Sequence, residues 1–160
     1  MATYLYGDHI DTDRIIAGKY TKTLNLSDLT DHVLEDLDPT FKTKVKKGDI
    51  LVAGENFGCG SSREQAPIAL KLAGVSVVIA KSFARIFFRN AINIGLPVIQ
   101  IQDHQIEAND DLIIDLENGI VTNRTRNTTY QASKMPKVMI DILAEGGLVN
   151  YMRKFGEYQL

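Results

Sequence analysis

A chain of 160 residues with 44% hydrophobic and 24% charged side chains is long enough to bury one core as a single domain and has the balance of a soluble globular protein. A net charge of −2, with no basic run denser than Lys44, Lys46 and Lys47, excludes recognition of nucleic acid through a basic surface. One cysteine excludes an internal disulfide and cannot by itself hold a metal ion or an iron–sulfur cluster.

The start, Met1 to Asp8, has no charged segment leading into an apolar core, so no secretory signal is read there. No apolar run approaches the roughly 20 residues of a membrane span, and a cytoplasmic location is expected. Asp8 to Ile16 is a polar run between two apolar ones. Leu26, Leu29, Val33 and Leu37 then recur at helical spacing, which predicts a helix over 25–36 with Asn25 or Ser27 as its cap. Gly48 to Ala53 predicts a short apolar strand, followed by the turn Gly54-Glu-Asn-Phe-Gly-Cys-Gly-Ser-Ser-Arg63 and a helix over 64–72 that stops at Gly74.

Val75 to Ala80 is almost continuously apolar, as in a strand covered on both faces. Ser82 to Ile94 predicts a helix with Phe83, Ile86, Phe87 and Ala91 inward, ended by Gly95, and Leu96 to Ile101 predicts another buried strand. This alternation calls for a parallel sheet with right-handed crossovers. Beyond Gln102 the texture changes to short segments at 111–117, 119–123 and 128–131, separated by turns such as Glu117-Asn118-Gly119; these predict antiparallel strands. A last helix is predicted from Lys134 to Glu145, ended by Gly146-Gly147. Two kinds of sheet in one domain, 1–160, imply layers: a parallel sheet, a smaller antiparallel sheet, and helices.

A glycine turn that joins a strand to a helix leaves backbone N–H groups free for an anion. Ser61, Ser62 and Arg63 stand in that turn. It is neither the hydrolase elbow Gly-x-Ser-x-Gly nor a phosphate-binding Gly-Lys-Ser/Thr loop. His9, His32 and His104 all lie in polar or exposed-helix contexts, which speaks against a Ser-His-Asp triad. Two readings remain for Ser61. Its oxygen, among N–H dipoles and arginine, acts as a stabilised alkoxide base; each pKa unit of stabilisation requires about 1.4 kcal/mol, hence several strong donors. Alternatively Ser61 or Ser62 caps the following helix. Arg63 is either a bidentate carboxylate clamp or one half of a surface ion pair. Asp11-Thr12-Asp13-Arg14 reads as a self-capped turn. Cys59 reads equally as a reactive thiol or a small packed residue, and Arg85 and Arg89 share a helix face suited to pairing with acids or a helix end.

Taken together, Asp11 to Ile16, Asn56 to Glu64 and Ser82 to Gly95 closely resemble the small subunits of the isopropylmalate dehydratase family, free-standing counterparts of the aconitase swivel domain. The resemblance runs through almost the whole chain in one order. It implies a swivelling β/β/α three-layer domain and a large-subunit partner whose three cysteines hold a [4Fe–4S] cluster, one iron open to the substrate. By resemblance Ser61 is the base that takes the proton next to a carboxylate. Ser62 and Arg63 then hold substrate carboxylate and stabilise the Ser61 oxyanion, and Asp13 orients the loop. In the turn after Gly18, Tyr20, Lys22 and Thr23 lie where the family reads the far end of its hydroxy-dicarboxylic acid. Family members for branched alkyl substrates place apolar residues there, and homoaconitase-type members an arginine. Lys22 either accepts a third carboxylate or swings out and leaves its methylene stem as a wall. Isopropylmalate ranks first; 2,3-dimethylmalate, citraconate-type and homoaconitate substrates stay open. A reading of another class, a non-catalytic anion-binding module, uses the same glycine turn and expects Ser61 to be dispensable.

Overall fold

The computed structural model describes residues 1–22 and 24–159. Four strands, β1 (Thr3–Leu5), β2 (Ile50–Ala53), β3 (Val77–Ala80) and β4 (Val98–Gln100), form one parallel sheet in the order β1-β2-β3-β4. Every residue of β2 and β3 is buried, because alternate side chains enter two different cores. Leu51, Ala53, Val78, Ala80 and Val98 share one core with helices α4 (Gln65–Ala73) and α5 (Arg85–Ile94). Ile50, Val52, Val77, Ile79 and Ile99 face the other way, into a smaller core with Leu112 and Val121. Those two belong to an antiparallel meander of β5 (Leu112–Asp115), β6 (Ile120–Asn123) and β7 (Thr128–Gln131). The architecture is therefore β/β/α, with the parallel sheet in the middle, as the two sheet textures predicted.

Four short helices and two late ones complete the helical layer: α1 (Thr12–Ile15), a 3₁₀ turn at Gly18–Tyr20, α2 (Ser27–His32), α3 (Phe41–Lys44), α6 (Lys137–Ala144) and α7 (Leu148–Phe155). Of these α1, α3, α7 and the strand β1 were not predicted. Each of the first two is a single turn and β1 has three residues, too short to show a period. The predicted helix over 25–36 shrinks to Ser27–His32. Leu34 takes a left-handed conformation (φ 55°) and its N–H donates to the Ile15 carbonyl at 2.8 Å, which turns the chain away. Leu26, left at the N-cap outside the shortened helix, is exposed rather than inward. The helix expected from Ser82 starts at Arg85, since residues 82–84 are extended and pair with Phe57. Within the helix Ile86 is 49% exposed, contrary to its predicted inward place, while Phe87, Ala91 and Ile92 are buried.

Candidate active site

Parallel pairing does not stop where β1 and β2 end. The Gly54 N–H donates to Gly7 O (3.0 Å), His9 N–H to Glu55 O (2.8 Å) and Gly58 N–H to Ile10 O (2.8 Å). An isolated parallel bridge then joins Asp11 to Cys59, and Thr12 N–H donates to Cys59 O at 2.8 Å. Two long loops are thereby zipped together beyond the carboxyl ends of the strands, the edge at which open α/β sheets build their sites. A third joins them, through a bridge between Phe57 and Phe83 and the Asn56 N–H held by Ser82 Oγ at 2.7 Å. Gly58 lets the loop pass over α5: its φ is +82°, and a Cβ there would overlap the ring of Phe87.

The zipped loops bring Ser61 against Thr12, 49 residues earlier. The two hydroxyls are 3.1 Å apart, and Thr12 Oγ1 also donates to the Ser61 carbonyl at 3.1 Å. Thr12 is 2% exposed, whereas Ser61 is exposed, so a buried hydroxyl holds an exposed one at the surface. Next to it, Arg63 is paired through Nη1 with Asp13. Most of the arginine is covered and the aspartate is largely open. Asp13 sits in α1 because Asp11 caps that helix, its Oδ1 accepting from Arg14 N–H at 2.9 Å.

The turn after Ala17 closes over the same arginine. A Cβ at Gly18 would lie 3.0 Å from Arg63 Nη2, so only glycine leaves the guanidinium its place without displacement. The Thr21 carbonyl accepts from Gln65 Nε2 at 3.4 Å, tying the turn to the start of α4. Tyr20 is half-buried and Lys22 exposed, without an ion pair among the described residues; Thr23 lies outside the described residues. Ser62 is exposed, and its carbonyl accepts from Asn90 Nδ2 of α5 at 3.4 Å. Asp13, Ser61, Ser62, Arg63 and the 18–22 turn thus form one open face. Chemically, it offers a hydroxyl, a fixed guanidinium and a mobile ammonium to an anion.

Several alternatives close on geometry. Neither serine caps α4, whose N-cap is Glu64 without a side-chain hydrogen bond. Arg63 does form an ion pair, but its acid is the Asp13 of the same face. No histidine reaches Ser61: His9 meets Asn56, His32 meets Glu35, and His104 Nδ1 accepts from Ile106 N–H. Cys59 is half-buried, held by its backbone to Asp11 and Thr12. The expectation that Arg85 and Arg89 pair with acids is not met; both are exposed and make no ion pair among the described residues, because their helix face looks outward.

Residues 3–104 match the family model of the aconitase C-terminal domain. The chain belongs to that family. The chain is similar to the 3-isopropylmalate dehydratase small subunit of Caldanaerobacter subterraneus subsp. tengcongensis, 53% identical over 151 residues, 93% of this chain and 94% of the relative. The methanogen homoaconitase small subunit of Methanothermobacter thermautotrophicus is likewise 53% identical over 149 residues, 93% of this chain and 87% of the relative. Among solved structures, a 3-isopropylmalate dehydratase from Methanocaldococcus jannaschii superposes with a TM-score of 0.90 at 48% identity, covering 96% of this chain and 92% of that one.

Sequence reasoning missed Thr12, Gln65, Ser82 and Asn90, which position the loop of this aconitase C-terminal domain. Thr12 carried one signal, its place within the Asp11–Arg14 cluster; that it would meet Ser61 depends on strand register. The other three carry none that a local pattern could have flagged.

Proposed function

We propose that this chain is the small subunit of a hydro-lyase that interconverts 2-isopropylmalate and 3-isopropylmalate by removing and re-adding water, as in leucine biosynthesis, and that it works only with a cluster-bearing large subunit. One arrangement carries the reading: the exposed Ser61 hydroxyl, bonded to Thr12 at 3.1 Å, beside an Arg63 that Asp13 holds in place. Thr12 Oγ1 has one proton to give: directed to the Ser61 carbonyl it leaves Thr12 to accept from Ser61 Oγ, and directed to Ser61 Oγ it stabilises the oxyanion. The Arg63 charge and loop N–H groups lower the cost of the Ser61 oxyanion. In that state Ser61 takes the proton from the carbon next to the carboxylate, a step worth typically about 10²–10⁴ in rate. Returning the proton to the same carbon, or its neighbour, reverses or completes the isomerisation.

Arg63 and Ser62 clamp the adjacent carboxylate, the guanidinium in a two-point contact that a lysine would not reproduce. With a single cysteine this chain has no ligand set for a cluster, and its open face suits a carboxylate presented beside one that the partner holds. When bound there, a [4Fe–4S] cluster supplies the Lewis acid for the substrate hydroxyl. Lys22 reads the far end of the acid. Its exposed ammonium, without an ion pair among the described residues, together with the 53% identity to a homoaconitase small subunit, supports a second reading in which the natural acid carries a third carboxylate.

Anaerobic mixing with a reconstituted large subunit tests both. The unsaturated acid is followed by its ultraviolet absorbance, with 2-isopropylmalate, dimethylmalate, citramalate and homocitrate in parallel. Turnover of 2-isopropylmalate that falls at least about 10²-fold in Ser61→Ala is the expected result. A complex that binds, keeps its cluster and turns over none of the acids overturns the hydro-lyase reading.

A further inference from the structure

The 3₁₀ turn at Gly18–Tyr20 is held from two sides. On one side it rests against Arg63 and Gln65, through Gly18 and the Thr21 carbonyl. On the other, the side chain of Tyr20, in the turn itself, meets His32 and Glu35, and none of the three takes part in proton transfer at Ser61. The rings of Tyr20 and His32 lie face to face, centroids 3.7 Å apart and planes 3° from parallel. Glu35 spans the edge of that stack: Tyr20 Oη donates to Oε1 at 3.1 Å, and His32 Nδ1 lies 2.7 Å from Oε2. A fully overlapped sandwich is the less favoured aromatic arrangement. Here a single carboxylate, one oxygen per ring, holds the two in register.

Each end of this unit is fixed. Glu35 follows the left-handed corner at Leu34, whose N–H is bonded to Ile15 of α1, the helix that also carries Thr12 and Asp13. Tyr20 is two residues from Lys22. The His32–Glu35 pair is about one third exposed, so its contribution to stability is small; what it fixes is a direction. The His32 hydrogen bond first, then the Tyr20 one, hold the Glu35 carboxyl below the usual carboxylate range against the opposing effect of desolvation.

We infer that Tyr20, His32 and Glu35 form a brace that positions the substrate-reading turn relative to Arg63, and so sets discrimination between hydroxy acids without touching the reacting carbon. The inference rests on the reading of this turn given above. His32 and Glu35 are positioning residues, and Tyr20, read above at the far end of the acid, joins them because its ring and hydroxyl are engaged by His32 and Glu35. Loosening the brace lets the turn and Lys22 sample other placements, which weakens binding of the preferred acid and leaves proton transfer at Ser61 intact.

The test uses the complex with the large subunit, and compares KM and kcat for 2-isopropylmalate and homocitrate. Glu35→Ala is expected to raise KM for the preferred acid about tenfold, the scale of losing two hydrogen bonds, and to narrow the preference between the acids. The kcat should stay within about twofold, because the lost interaction is not specific to the transition state. Glu35→Gln, which keeps an acceptor for Tyr20, should recover part of the loss. Tyr20→Phe, which removes one hydroxyl and keeps the stack, should give a smaller shift in the same direction and decides the matter if Glu35→Ala does not fold. Unchanged KM and preference in these variants, or a kcat loss as large as the kcat/KM loss, overturns the brace. Lys22→Gln separates the underlying reading: an unchanged preference there overturns Lys22 as the reader, and the brace then stands or falls on the KM of Glu35→Ala.

Discussion

Replacing Gly58 by alanine confronts two separate costs, and a neighbour in the same loop separates them. Gly58 has φ +82°, a region that costs an L-residue about 1–2 kcal/mol. Its new Cβ would also overlap Phe87, which is 2% exposed and packed between Phe57 and Phe83 at ring-centroid distances of 5.1 and 6.2 Å. A ring so enclosed has nowhere to move, and overpacking of this kind costs about 1–3 kcal/mol. Gly60 has a similar φ of +96°, but the nearest atom to its Cβ would be Asp11 Cβ at 3.4 Å, an ordinary contact. Both variants lose the same glycine freedom in the unfolded chain, about 0.4–1 kcal/mol in the opposite sense. The difference between them therefore isolates the clash, about 2 kcal/mol in mid-range. For a chain of this size that is a gap of about 4–8 °C in Tm, with Gly58→Ala the lower. Thermal unfolding of the purified variants by circular dichroism, at one pH and one concentration, measures it. Equal melting temperatures, or Gly60→Ala the less stable, would show that the loop does not lie on the Phe87 ring as described.

Gly18→Ala should act on substrate instead of stability: the position needs no left-handed backbone, yet its Cβ would press on Arg63 at 3.0 Å. A KM rise of about three- to tenfold with Tm changed by less than about 3 °C is expected, and an unchanged KM refutes the close approach. Burial pushes the Asp110 carboxyl up, but hydrogen bonds from Glu107 N–H, Asn123 and Arg126 outweigh it and hold its pKa below the ordinary value. A carboxyl depressed in the folded state contributes stability above its unfolded pKa of about 3.9 and loses it as pH falls through the folded value. Asp110→Asn should thus lower Tm at pH 7, by the scale of about 1–3 kcal/mol for an unsatisfied buried group, and flatten the fall in Tm below about pH 4. A variant melting curve parallel to the wild type from pH 7 to pH 3 refutes it.

Much of the fold was legible because its signals are local. The apolar runs at 50–53 and 77–80 marked strands covered on both faces, and Gly74 and Gly95 end their helices in the left-handed conformation such caps require. From residue types alone, the turn at 54–63 was read as a candidate anion site, and the structure brings its Ser61 and Arg63 to Thr12 and Asp13. Errors came where a neighbour overrode the local pattern. Ile86 and Leu26 match a helical period but are exposed, Ile86 on the outward side of α5 with Arg85 and Arg89, and Leu26 at the N-cap, outside the shortened α2. Arg85 and Arg89 were spaced as partners for acids, and no acid of this chain lies opposite them among the described residues.

The sequence by itself determined which residues are chemically capable: a serine pair and an arginine on a glycine turn, an acid cluster near the start, and a lysine after Gly18. Tertiary structure alone decided which of them meet. Thr12 and Ser61 are 49 residues apart, Asp13 and Arg63 are 50 apart, and nothing local links either pair. They meet because β1 lies in parallel register on β2, Thr3 beside Ile50 and Leu5 beside Val52, and because backbone hydrogen bonds continue the parallel pairing past the strand ends, slipped by one residue where Asp11 meets Cys59. Register is set by burying two faces of one sheet at once, a property of the whole chain that no window of it contains.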